Sequence, residues 1–142
     1  MSRLFHLFRL SHTARYSFST MGDSLMLTPR ALSRLSELRA KAKSEGRADS
    51  ESLRLRVKVD GGGCSGYKYE FNIIGNETEE GDRCFGKDGC FAVVDSVSLG
   101  LLSGATVDWE ESLMRSAFII SHNPNAEASC GCKSSFSVKS PT

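Results

Sequence analysis

Three cysteines have the type and surroundings to hold a metal centre: Cys64, Cys130 and Cys132. Cys64 stands within Gly61-Gly62-Gly63-Cys64-Ser65-Gly66, where flanking glycine leaves the thiol and the neighbouring amides open to a bulky inorganic group. Backbone without side chains can also aim N–H donors at the negative charge of such a group. Alone, the same stretch would read equally well as a glycine turn with an incidental cysteine. The second feature is Cys130-Gly131-Cys132. Residues i and i+2 of an extended segment face the same side, about 6 to 7 Å apart at Cα, so two thiolates can address one centre. That separation is near the upper edge for a direct disulfide, and the spacing differs from the C-x-x-C of zinc knuckles and thioredoxin-type sites. Three thiolates are one short of the four that iron–sulfur clusters usually take from cysteine. The shortfall predicts a site shared by two protomers or completed by a partner, and incomplete ligation makes a cluster easy to hand on. The same residues also admit zinc or mononuclear iron, or a thiol oxidoreductase that cycles a Cys130–Cys132 disulfide.

Other candidates have plainer readings. Cys84 and Cys90 adjoin apolar strand segments and are expected to be buried or half-buried thiols packing as small hydrophobes. His122, before Asn123-Pro124, reads as a strand-end or surface histidine rather than a ligand, and His6 and His12 fall in the N-terminal segment. Glu110 and Glu111 face opposite ways in an extended segment and form no acid/base pair. No Ser-His-Asp order, phosphate-binding loop or zinc-hydrolase helix is present, so no catalytic residue is assigned and the chain is not expected to be an enzyme.

The 142 residues suffice for one domain plus a tail or leader. Hydrophobic and charged fractions of 39% and 25% are those of a globular chain. Apolar runs stay well short of the roughly 20 residues a membrane helix needs. Residues 1–20 hold Arg3, Arg9 and Arg15, several serines and no acid, with leucine and phenylalanine between the basic positions. This is the composition of an organellar transit peptide, and it predicts a mitochondrial matrix location, though a chloroplast leader has similar composition. Taking those three arginines from the 18 basic residues leaves 15 against 17 acidic ones, a balance of −2. A mildly acidic body lacks the clustered basic face that nucleic acid requires. In a reducing compartment an odd set of five cysteines points to thiols or metal ligands rather than disulfides.

These residues need elements to position them. Thr28 is a suitable N-cap, Pro29 fits the first helical position and Leu27 can staple onto Leu32; Leu32, Leu35, Leu38 and Ala42 then follow helical spacing to Gly46. The basic residues of this helix read as a solvated face. Alternation over Leu53–Val59 and again over Tyr67–Ile73 predicts two strands joined by the glycine-rich stretch around Cys64. Gly75–Asp82 reads as a surface loop; Cys84–Phe85 and Cys90–Val94 read as strands about a Gly86–Gly89 turn. A short helix is expected over Ser96–Leu102, and strands over Ala105–Trp109 and Ser116–Ser121. Regular structure should end at Asn123-Pro124-Asn125, leaving 126–142 as a mobile tail that carries Cys130 and Cys132.

Gly61–Tyr67, Asp95–Leu99, Arg115–Phe118, Asn123-Pro124 and Cys130-Gly131-Cys132 with Ser134-Ser135-Phe136 resemble, in order and spacing, the A-type iron–sulfur carrier (HesB/IscA) family. The match spans roughly Leu27 to Val138, and the GGGCSG and VVDSVSL segments are closer to the second of the two mitochondrial A-type paralogs. The resemblance implies an α+β, β-rich fold: a compact HesB-like mixed β-sheet sandwich over 25–138, with flanking helices and a flexible cysteine-bearing C-terminal tail. It implies [2Fe-2S] or [4Fe-4S] binding at Cys64, Cys130 and Cys132, and a homodimer or a heterodimer with the other A-type paralog. It also implies cluster donation by a monothiol glutaredoxin, cooperation with a folate-binding-like assembly factor, and delivery to [4Fe-4S] clients such as aconitase. One departure is Lys133, where the family commonly has glycine.

Overall fold

The computed structural model of the chain describes residues 24–62, 66–129 and 133–138. Residues 1–20, where a transit peptide is expected, and Cys64, Cys130 and Cys132 themselves lie outside these residues. The elements run β1 (Met26–Leu27), α1 (Pro29–Ser44), β2 (Arg54–Gly61), β3 (Tyr67–Ile74), β4 (Arg83–Lys87) and β5 (Cys90–Val94). They continue with α2 (Ser96–Leu102), β6 (Thr106–Glu111), β7 (Ser116–His122), β8 (Ala126–Ser129) and β9 (Ser135–Val138). They form a three-stranded sheet, β1-β6-β7, and a six-stranded mixed sheet, β4-β5-β2-β3-β9-β8. This is the expected strand-rich α+β architecture.

Local chemistry sets the element boundaries. Thr28 caps α1 by accepting the Ala31 amide at 3.2 Å, with Pro29 next, and Gly46 follows the helix at φ +74°. The Thr28 hydroxyl also donates to Asp108 on β6 at 2.5 Å, so the cap that starts the helix fastens it to the smaller sheet. Asp88-Gly89, both at positive φ, make the two-residue turn between β4 and β5. Asp95 caps α2, accepting Ser98 N at 2.9 Å and Ser98 Oγ at 2.6 Å. Parallel pairing of β2 with β5 reaches only Val57↔Val94, and beyond it the Val59 amide donates to the buried Ser98 hydroxyl at 2.9 Å. The start of α2 thereby satisfies a donor that β5 leaves unpaired.

A single core joins both sheets and both helices: Leu35, Leu55, Val57, Ala92, Val94, Leu102, Val107, Phe118, Ile120 and Phe136 are all buried within it. Burying their apolar surface, at roughly 25 cal/mol per Å², is what holds the layers together.

The expectation that regular structure stops at Asn123-Pro124-Asn125 and gives way to a mobile tail is corrected. Ala126–Ser129 and Ser135–Val138 are strands of the six-stranded sheet, and Phe136 is 0% exposed. The Asn-Pro-Asn stretch is a corner instead: the Asn123 and Asn125 side-chain amides donate to Leu101 O, and that of Asn125 also to Ser103 O. These carbonyls belong to the end of α2, which lacks intrahelical donors, so the corner is fixed by satisfying them.

Candidate metal centre

The structure describes the anchors of the two cysteine-bearing loops, and both stand on β3. At the first loop, β2 and β3 pair up to Gly61↔Tyr67, and Gly62 N donates to Gly66 O at 3.0 Å. Only residues 63–65 lie between these two glycines, with Cys64 in the middle. Gly62 and Gly66 have φ of +118° and +105°, a region where L side chains are strained, and among the described residues a Cβ on either would meet nothing within 4 Å. Glycine is required here by the backbone, not by crowding from any described residue.

At the second loop, β9 pairs with β3 through Tyr67↔Phe136 and Lys68↔Ser135, and Tyr69 N donates to Ser134 O at 3.0 Å. β8 pairs with β9, so 130–134 is the connection of a hairpin laid against β3. Gly66, where the first loop enters β3, lies three residues from Tyr69, where the second loop is tied down. At a strand rise near 3.3 Å the anchors are about 10 Å apart. Cys64 and Cys132 each lie two residues from their anchors, and two extended residues span at most about 7 Å. The chain lengths thus permit both thiols to reach a common centre from one protomer. Cysteine thiolate is the donor iron–sulfur clusters use, and the sequence puts one cysteine in the first of these segments and two in the second.

Aromatic rings hold this arrangement. Phe136 stacks on Tyr69 with centroids 4.4 Å apart and on Tyr67 at 5.5 Å. Tyr69 Oη in turn accepts from Asn123 Nδ2 at 3.0 Å. Burial pushes the Tyr69 phenol above its ordinary value, and the Asn123 bond offsets only part of that, so the ring carries a neutral hydroxyl at physiological pH. Beside it lies a recess of about 200 Å³ lined by Tyr69, Ile120, His122, Asn123, Glu127 and Lys133. His122 is exposed at the end of β7, as a strand-end histidine should be. Among the described residues no three of His, Cys, Asp and Glu are grouped to hold a metal ion.

Lys133 has φ +56°, a left-handed conformation that glycine adopts freely, and its Nζ lies 3.8 Å from Glu110 Oε2 on β6. Cys84 is half-buried and Cys90 buried, each a free thiol away from both loops, as expected. Phe136 is a buried residue of β9, and the alternation Ser135-Phe136-Ser137-Val138 is the local signal that marks it.

The fold and the anchors define a class of protein: a two-sheet α+β body in which the chain segments carrying the glycine-framed cysteine and the C-x-C pair are both fastened to one strand. The chain belongs to the iron–sulphur cluster biosynthesis family, whose model matches residues 24–134. It is 43% identical over 93 residues to the mitochondrial iron-sulfur cluster assembly 2 homolog of Dictyostelium discoideum, a match covering 66% of this chain and 44% of that protein. It is 41% identical over 118 residues to the iron-sulfur cluster insertion protein ErpA of Marinobacter nauticus, covering 83% of this chain and all of that one. Among solved structures it resembles IscA with the [2Fe-2S] cluster, at TM-score 0.67 and 31% identity over 82% of this chain and the whole of that one. Escherichia coli SufA, involved in biosynthesis of iron–sulfur clusters, gives 0.64 and 30%, covering 86% and 97%.

Proposed function

We propose that this chain is an iron–sulfur cluster carrier that binds [2Fe-2S] or [4Fe-4S] cargo through Cys64, Cys130 and Cys132 and passes it on. The observation that carries the reading is the common strand: β3 anchors both cysteine-bearing loops about 10 Å apart. Family membership points the same way. Three thiolates leave one coordination position of the usual four to a second protomer, to the other A-type paralog or to an acceptor. An incoming thiolate at that position can start the exchange by which cargo leaves, so incomplete ligation serves transfer rather than storage. The proposal assigns no catalytic residue.

Further proposals rest on the resemblance and the leader. Residues 1–20 direct the chain to the mitochondrial matrix, in line with the location printed in the Dictyostelium relative's name. There it receives cluster from a monothiol glutaredoxin and, with a folate-binding-like factor, serves late maturation of [4Fe-4S] proteins.

The test is anaerobic reconstitution of the chain with iron and sulfide, counted per protomer and followed by visible absorption and Mössbauer spectra. Cluster content is expected to collapse in Cys64→Ser, Cys130→Ser and Cys132→Ser. A variant retaining full content removes that cysteine from the site, and a colourless protein that takes zinc instead overturns the cargo.

A further inference from the structure

The attachment of the cysteine-bearing hairpin is narrow. Among the described residues β8 is the outer strand and pairs only with β9, while β9 meets β3 through two residue pairs and the Tyr69–Ser134 backbone bond. Ala126 and Val138 are half-buried at the margin of the core, and Phe136 is the hairpin's one fully buried side chain among the described residues. Its ring lies on Tyr67, three residues after Cys64, and on Tyr69, whose amide holds Ser134, two residues after Cys132. One aromatic stack therefore ties together the chain leaving the first loop and the chain leaving the second. Two pairs of strand residues are too few to order a hairpin by themselves, since isolated two-stranded ribbons are marginal in water. The buried ring supplies what the short ladder lacks.

We propose that Phe136 is a positioning residue for the C-x-C thiolates: by stacking on Tyr67 and Tyr69 it docks the β8–β9 hairpin on the start of β3, the strand that the Cys64 segment leads into in the same protomer. The cluster-binding consequence rests on the carrier reading above; the positioning itself does not. Without the ring the hairpin leaves β3, the two loops separate, and three thiolates no longer address one centre.

The test uses the full chain, reduced and metal-free, treated with a short bifunctional thiol reagent. Peptide mass spectrometry on the monomer band scores links between Cys64 and Cys130 or Cys132, while amide hydrogen exchange is followed at Tyr69 and in the β2–β5 core. The wild-type chain is expected to link within one protomer. Phe136→Ala is expected to lose most of that link, several-fold, and the Tyr69 protection, with β2 and β5 protection unchanged. Phe136→Leu, which keeps apolar volume without a ring, should fall between the two; with Tyr67→Leu it decides the matter if the alanine variant does not fold. Equal linking in wild type and a folded ring-deleted variant overturns the proposal, as does absence of any intraprotomer link in the wild type. Wild type that takes up no cluster yet links in a Phe136-dependent way keeps the positioning and removes the carrier reading.

Discussion

Phe136 lies nearly parallel to Tyr69, with ring centroids 4.4 Å apart and planes 9° apart, although the residues are far separated in sequence. The contact closes β9 onto the start of β3 and buries the ring completely. Deleting a buried phenylalanine typically costs at least about 3 kcal/mol, but a hairpin that can undock limits the loss to its own docking free energy. Phe136→Ala is expected to lower unfolding stability by about 2 kcal/mol, read from urea midpoints, without changing the β2–β5 core.

Tyr69 also makes a polar contact, accepting from Asn123 Nδ2, which bonds Leu101 O as well. Tyr69→Phe leaves the ring stack intact and Asn123 with its second partner. A net hydrogen bond is worth about 1 kcal/mol, so the variant should lose no more than that in thermal unfolding, with the hairpin's exchange protection preserved. A loss several times larger would mean that the corner, not the stack, holds β8.

Asp108 ties α1 to β6. Its carboxylate accepts from Arg30 Nη2 at 2.6 Å, from Thr28 Oγ1 and from Trp109 N at 2.8 Å. The Arg30 hydrogen bond, with help from Thr28 and Trp109, holds its pKa below the usual value against the opposing effect of burial. A carboxylate depressed in the folded state adds stability above its unfolded pKa of about 3.9, and that stability is lost as pH falls through the lower folded value. Acid unfolding should therefore steepen below about pH 4. Asp108→Asn should flatten that slope and cost about 2 kcal/mol at neutral pH, measured by urea unfolding across the range.

Much of this architecture is legible in the residues, and the exceptions have physical causes. Thr28-Pro29 and Gly46 bound α1 because capping is local chemistry. Alternation marks β2 because Leu55, Val57 and Val59 are buried on one face. The same rule fails at Ile73, 41% exposed, since β9 covers only the beginning of β3. β8 and β9 are hard to read because each is only four residues long and mostly alanine or serine apart from Glu127, Phe136 and Val138; β9 is paired to the distant β3, where Phe136 stacks on Tyr67 and Tyr69. The cysteines of the candidate site stand out by type and spacing. That both loops share one anchoring strand depends on sheet order, which no local pattern encodes.

Lys133 occupies a left-handed conformation and keeps a long-range ion pair with Glu110, both side chains being well exposed. An exposed pair contributes at most about 1 kcal/mol, often nothing measurable, whereas a non-glycine residue in this region costs about 1 kcal/mol or more. Glycine recovers that strain and returns part of it through greater freedom in the unfolded chain. Lys133→Gly is expected to raise stability by about 0.5 kcal/mol. Lys133→Ala, which removes the charge but keeps the strain, should not.

Cys90, 5% exposed, sits in the shared core, and Cys84 is half-buried in the neighbouring strand. A free cysteine in such a place packs as a small hydrophobe and reacts only when the structure opens. In the folded, metal-free chain a thiol reagent should modify Cys90 far more slowly than it does after unfolding in urea, with Cys84 between. Neither residue adjoins an anchor of the candidate site, so Cys84→Ser together with Cys90→Ala should take up as much iron and sulfide as the wild type under identical reconstitution. If that double variant loses its cluster while its β-sheet circular dichroism and urea midpoint stay close to wild type, the three-cysteine assignment is wrong.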